Sequence, residues 1–93
     1  MTVDFHVHST ASDGTFGPAE LAEMAERGGF AAIALTDHDN CDGVGEFSSR
    51  PPSTSSLRLI PGVELSIEPG DGFDKFHLLG LGVDPENPRL KAL

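Results

Sequence analysis

Four histidines and two carboxylates stand at the places in this chain where chemistry could be done. His6 and His8 lie in Asp4-Phe5-His6-Val7-His8, His38 in Thr36-Asp37-His38-Asp39, and His77 in Phe76-His77-Leu78-Leu79-Gly80. Asp13 and Glu64 accompany them. Each histidine is in or directly after an apolar, strand-like run. Imidazole with carboxylate is a ligand set that suits zinc, manganese or iron, and the chemistry such a site implies is hydrolytic. Taken singly, each residue has an ordinary structural reading. His38 could cap or hydrogen-bond, Glu64 could be a solvated strand end, Asp13-Gly14 is a common turn, and His77 could be a satisfied core histidine. It is the recurrence of ligand-type residues at expected strand ends that points to a metal site.

The elements that must position these residues are legible from periodicity. Residues 2–8 alternate, with Val3, Phe5 and Val7 on one face and Asp4, His6 and His8 on the other, the pattern of a strand with one apolar face. His6 and His8 then leave the same face about 7 Å apart. A small-residue loop over residues 9–15 follows. Pro18, with Gly17 as a cap, starts a helix whose Leu21, Met24 and Ala25 form an apolar stripe and which Gly28-Gly29 ends. Residues 30–35 read as a strand buried on both faces. Strand, helix and strand over about 35 residues make a parallel βαβ unit.

The second half is less regular. Residues 42–47 begin a helix that does not run far, and residues 48–56 form a Ser/Pro-rich loop. Residues 57–60 resume a strand running towards Glu64, residues 68–74 form a turn, residues 75–83 a fourth strand, and residues 89–93 the first turn of a helix. In parallel α/β folds functional groups gather at the C-terminal ends of strands. His8, His38 and Glu64 obey that rule, whereas His77 falls early in its strand.

Composition bounds the rest. Ninety-three residues, 38% of them hydrophobic, with six Phe and neither Trp nor Tyr, suit one small globular unit. A net charge of -9 excludes a polybasic surface that would grip nucleic acid through its phosphates. Bound divalent ions would offset part of that charge locally. The single cysteine, Cys41, excludes an internal disulfide framework. No run approaches a membrane span, so no membrane partner is expected, and the N-terminus lacks the pattern of a secretory signal, which makes the cytoplasm the default expectation.

Taken together, His6-Val7-His8-Ser9, Ala11-Ser12-Asp13-Gly14, Leu35-Thr36-Asp37-His38-Asp39, Ile60-Pro61-Gly62-Val63-Glu64-Leu65-Ser66 and His77-Leu78-Leu79-Gly80 resemble, in order, the motifs of the PHP (polymerase and histidinol phosphatase) superfamily of metal-dependent phosphoesterases. The branch most similar is the nucleoside 3',5'-bisphosphate phosphatase and RNase AM-like group. The resemblance implies an α/β fold: the N-terminal portion, residues 1–93, of a distorted (β/α)7 TIM-like barrel with parallel strands. It implies two or three divalent transition-metal ions (Zn, Mn or Fe), with His6, His8 and Glu64 on a first, Asp13 and His38 on a second, and Glu64 and His77 on a third. It implies a phosphorylated small-molecule or nucleotide substrate, hydrolysed through a metal-activated water. A different phosphate ester, such as histidinol phosphate, and a non-catalytic metal-binding or assembly role stand as alternatives.

The chain departs from the pattern twice. A later His and a D-x-H motif are absent, which gives the expectation of a fragment with weak turnover by itself. The stretch over residues 42–56 is also short for the family's outer helix. Open strand edges and under-covered apolar residues (Phe30, Ile33, Leu35, Leu59, Ile60, Val63, Leu78, Leu79 and Leu81) give the further expectation of a homo-oligomer.

Overall fold

The computed structural model describes residues 2–49, 56–70, 72 and 74–92. The elements in chain order are strand β1 (Val3–Val7), helix α1 (Pro18–Arg27), strand β2 (Ala32–Leu35), helix α2 (Val44–Ser48), strands β3 (Arg58–Ile67) and β4 (Phe76–Leu81), and helix α3 (Pro88–Lys91). They form one four-stranded sheet in the order β1-β2-β3-β4. Most of the expected Ser/Pro-rich loop, residues 50–55, lies outside the described residues, as do Asp71 and Phe73 of the expected turn.

β1, β2 and β3 are parallel, as expected. β4 is antiparallel to β3, which corrects the expectation of parallel strands throughout. The cause is the length of the connection. Residues 68–75 are too few for the crossover of a dozen or more residues that a parallel partner requires, so the chain turns back as a hairpin. The reversal explains His77. The start of an antiparallel strand lies at the same edge of the sheet as the ends of its parallel neighbours, so His77 obeys the positional rule that its place early in β4 had seemed to break.

The core lies between α1, α2 and one face of the sheet. Leu21, Ala22, Ala25, Ile33, Leu35, Val44, Phe47 and Leu57 form it, and Phe47 is fully buried. Pro18, Leu21, Ala22 and Ala25 are the buried face of α1, spaced three and four apart as helix geometry requires. Met24, expected in that stripe, is instead exposed, and Ala22 takes the inward position. At the start of α1 the Glu20 carboxylate accepts from the Gly17 N–H. β2 is buried along its whole length. Ile33, Leu35 and Val63, expected to lack cover, are buried, the first two in the cluster they form with residues of both helices.

The outer strands are less covered. Val3 and Phe5 on β1, and Phe76, Leu78, Leu79 and Leu81 on β4, are exposed. The expected buried apolar face of β1 is therefore reduced to Val7, which packs on the core. Among the described residues no helix is long and apolar enough to cross a membrane.

Candidate metal centre

The register of the sheet brings the ligand-type residues together. Beyond β2, the chain keeps pairing with β3: Glu64 N–H donates to the Asp37 carbonyl (3.0 Å) and Asp39 N–H to the Glu64 carbonyl (2.9 Å), so His38 lies directly beside Glu64. In the hairpin Glu64 pairs with Leu79 and Ser66 with His77. His77 is thus the diagonal, same-face neighbour of Glu64. On β1 the register slips by one residue between Asp4 and Val7, a bulge of the kind that re-aims side chains. The Asp4 carboxylate accepts from the His6 N–H there (3.1 Å).

Glu64 is the centre. It is buried (3% exposed), and its two oxygens face different histidines. Oε1 meets His6 Nε2 at 2.5 Å and His8 Nε2 at 2.7 Å. Oε2 contacts His77 Nδ1 and lies 3.9 Å from His38 Nδ1. Asp13 joins from the loop after β1, with Oδ1 2.8 Å from His8 Nδ1 and Oδ2 3.1 Å from His38 Nε2. The rings run in file from His6 through His8 and His38 to His77, with successive centroids 5.2, 4.3 and 5.4 Å apart. All six residues singled out from the sequence therefore meet in one cluster. Three groups within it have donor atoms close enough to hold an ion: His6–His8–Glu64, His8–Asp13–His38 and His38–Glu64–His77.

The electrostatics follow from this crowding. Burial alone would push the Glu64 carboxyl up, but the hydrogen bonds of His6 and His8 and the nearby His38 outweigh it and hold the group at about 2. For His8 burial opposes protonation, yet the Glu64 and Asp13 carboxylates raise its pKa. Asp13 is lowered: desolvation works against this, but the His8 hydrogen bond and the charges of His38 and His8 prevail. A carboxylate ringed by imidazole nitrogens, with a second carboxylate alongside, is a donor set that fits divalent transition metals. Cys41 stands apart from these groups, and burial and the neighbouring Asp42 and Asp37 push its thiol up.

Several residues that build the site carry no ligand signature. Ser9 and Asp37 are buried behind the cluster, Ser12 hydrogen-bonds to Asp37, and Asn40 Nδ2 donates to the Ala11 and His38 carbonyls (both 3.1 Å). The sequence offered no signal for their burial beyond their place next to the ligand-type residues His8 and His38. Gly14 has a steric reason. A Cβ there would stand 2.1 Å from the His8 carbonyl oxygen, so the loop passes too close to the backbone just after β1 for any side chain. Gly14→Ala is expected to lower stability by about 1–3 kcal/mol as the loop is forced outward. Thermal denaturation checks it, and an unchanged midpoint would show that the loop yields freely.

A four-stranded, mostly parallel half-barrel of the TIM-like type, with an imidazole–carboxylate cluster at its mouth, defines the class. Within that class the chain belongs to the PHP domain family, whose model matches residues 4–87. It is 37% identical over 90 residues to the 3',5'-nucleoside bisphosphate phosphatase of Chromobacterium violaceum, covering 97% of this chain and 30% of that protein. It is 40% identical over 91 residues to a 5'-3' exoribonuclease of Haemophilus influenzae, covering 97% and 32%. The solved structure of an amidohydrolase from Chromobacterium violaceum, with sulfate and no metal bound, matches with a TM-score of 0.81 at 35% identity, covering 97% of this chain and 31% of that one. The chain thus spans about a third of the length of these relatives.

Proposed function

We propose that this chain supplies the metal-binding part of a PHP-type phosphoesterase that hydrolyses a phosphate ester of nucleotide kind, with His6, His8, Asp13, His38, Glu64 and His77 as ligands of two or three divalent transition ions. The carrying observation is that the three donor groups overlap: His8, His38 and Glu64 each belong to two of them. Glu64 turns one oxygen to His6 and His8 and the other towards His77 and His38, as a carboxylate shared between ions would. Bound divalent ions supply Lewis-acid chemistry, acidifying water and neutralising charge on a phosphoryl group.

The chain's own residues do the rest. Glu64, Asp13 and the four imidazoles would hold the cations. Asp13 lies between His8 and His38, where it adds negative charge to the group it forms with them. The backbone pairing of β3 with residues 37–39 fixes His38 against Glu64. The names of the two curated relatives support a nucleotide-type phosphate ester.

A second reading, metal binding without turnover, is favoured by exposure. The side chains of His6, His77 and Asp13 are 56%, 54% and 62% exposed, which leaves the cluster open to water. One experiment separates the readings. The purified chain is loaded with Zn, Mn or Fe, its metal content is measured by elemental analysis, and phosphate release from a nucleoside 3',5'-bisphosphate is followed. Metal with turnover is the expected result for the first reading, and metal without turnover for the second. A chain that takes up none of these metals overturns both. The double change His6→Ala with His8→Ala is expected to cut metal content most, since it removes two ligands of one group.

A further inference from the structure

The conspicuous chemistry of Thr36-Asp37-His38-Asp39 is the histidine, yet the two aspartates on either side of it belong to none of the donor groups. Asp37 is 1% exposed. Its carboxylate accepts three hydrogen bonds, all from the loop that carries Asp13: Ser9 N–H to Oδ1 at 2.6 Å, Ser9 Oγ–H to Oδ2 at 2.7 Å and Ser12 Oγ–H to Oδ1 at 2.7 Å. Burying a carboxylate is unfavourable unless such bonds compensate it. A buried group held only by one loop holds that loop in turn.

We propose that Asp37 is a positioning residue for the metal centre, the buried clamp that fixes the 9–13 loop so that Asp13 arrives between His8 and His38. The inference rests on the functional reading above for its metal readout. The loop is otherwise a run of small residues with no apolar anchor of its own. Its internal bonds, Ser12 N–H and Gly14 N–H to the Ser9 carbonyl at 3.1 and 2.9 Å, close it on itself without saying where it sits. Placement comes from outside it, through Asp37 and through the Asn40 amide on the Ala11 carbonyl. Both come from the segment that carries His38, so His38 and the partner it meets through Asp13 are set by one piece of backbone.

The carboxylate is needed rather than an amide. Ser9 Oγ accepts from the Ala11 N–H (3.1 Å) and gives its own proton to Asp37 Oδ2. An asparagine would place its N–H₂ against Ser9 Oγ, whose own buried proton then has no acceptor, or else against the Ser9 N–H and the Ser12 hydroxyl. Either way a buried donor loses its acceptor. Asp39 does the matching task on the other side. It takes a positive φ of 56° and its carboxylate accepts from the Ser66 N–H at 2.7 Å, which ties the segment to β3.

The test uses Asp37→Asn, Ser12→Ala and Ser12→Thr in the full 93-residue chain, with Mn(II) as the probe and stoichiometry read by elemental analysis and electron paramagnetic resonance. Asp37→Asn is expected to lose the ion of the His8–Asp13–His38 group, or to bind it more than about 10-fold more weakly, while the His6–His8–Glu64 group stays loaded. Ser12→Ala is expected to shift in the same direction and Ser12→Thr, which keeps the hydroxyl, to restore binding.

The ring ¹⁵N shifts of the metal-free chain provide a readout that does not depend on metal. Asp37→Asn is expected to alter His8 and His38 and to leave His6 and His77 as they are. Such a pattern in a chain that binds no metal at all would sink the functional reading and uphold the clamp. Unchanged His8 and His38 shifts together with unchanged Mn(II) binding would overturn the clamp. So would equal loss from every group in Asp37→Asn with no effect of Ser12→Ala, because that is the mark of general unfolding.

Discussion

Glu64→Gln is expected to remove most bound metal, with affinity falling by more than about 100-fold, beyond the range seen when only a supporting residue is lost. Among the described residues Glu64 is the one carboxylate that faces all four histidines. Glutamine has nearly the same shape but a single acceptor oxygen. Its amide N–H₂ must point either at His6 and His8 or at His77 and His38, and whichever side it faces offers a donor where a cation needs a lone pair.

The same substitution tests the charge balance of the metal-free chain. A carboxyl held at about 2, against its ordinary 4.5, stabilises the fold in its ionised form. That contribution is present above about pH 4.5 and disappears as pH falls towards 2. His8 acts in the opposite sense. Its pKa is raised above 6.5, so its contribution is complete below that pH and is lost as pH rises through the folded-state value. The metal-free protein should therefore be most stable in mildly acidic solution, between these limits. Metal binding needs neutral imidazoles and so strengthens as pH rises. Thermal midpoints in chelator from pH 3 to 8 should show the acid limb in the wild type and a flatter one in Glu64→Gln. Full metal content in the variant, or an acid limb of the same depth, would show that Glu64 is not the hub.

How much of this was legible beforehand depends on which physical signal each residue carries. The β1–α1–β2 unit announced itself because alternation, three-and-four spacing and an uninterrupted apolar run are local patterns that tertiary packing seldom overrides. The direction of β4 was hidden, since period-2 alternation reads the same in both directions. Only the shortness of the 68–75 connection carried it, and that is what reconciles His77 with the other ligands. The bulge in β1 was hidden too, because the sequence alternates without a break from Val3 to His8 and nothing in it marks where the pairing with β2 slips.

Met24 was misplaced because Leu21, Ala22, Met24 and Ala25 compete for one helix stripe, and local spacing alone does not say which of them is left outside. Asp37 escaped notice for a different reason. An aspartate after a strand ordinarily meets water, and its burial depends on two serines some 25 residues away in sequence. Ligand types were visible at all six positions of the candidate centre because metal chemistry restricts them to a few residues. The supporting clamps are built from Ser, Asp and Asn, which occur in every loop.

Phe47→Ala is expected to produce the largest loss of stability. Phe47 is fully buried on a helix of only five residues, packed in the cluster that contains Leu21, Leu35, Val44 and Leu57. Truncating a buried Phe costs about 3–5 kcal/mol from lost transfer energy and the cavity left behind. A domain of this size holds only about 5–14 kcal/mol in all, at roughly 0.05–0.15 kcal/mol per residue.

The midpoint of thermal unfolding should fall by at least about 12 °C, taking roughly 4 °C per kcal/mol as the lower bound for a chain this small. Phe47→Leu, which refills most of the volume, should recover more than half of the loss. The consequence reaches the metal centre through the backbone. α2 follows the segment that carries His38, Asp39 and Asn40 in the chain, with the Val44 N–H on the Cys41 carbonyl, and a helix this short has no stability of its own, so loss of its packing is expected to loosen that segment. Metal that binds only the folded chain would then raise the midpoint of Phe47→Ala at concentrations above its Kd. A variant that unfolds within about 3 °C of the wild type would mean that α2 contributes little to the core, and that His38 is held by its pairing with β3 alone.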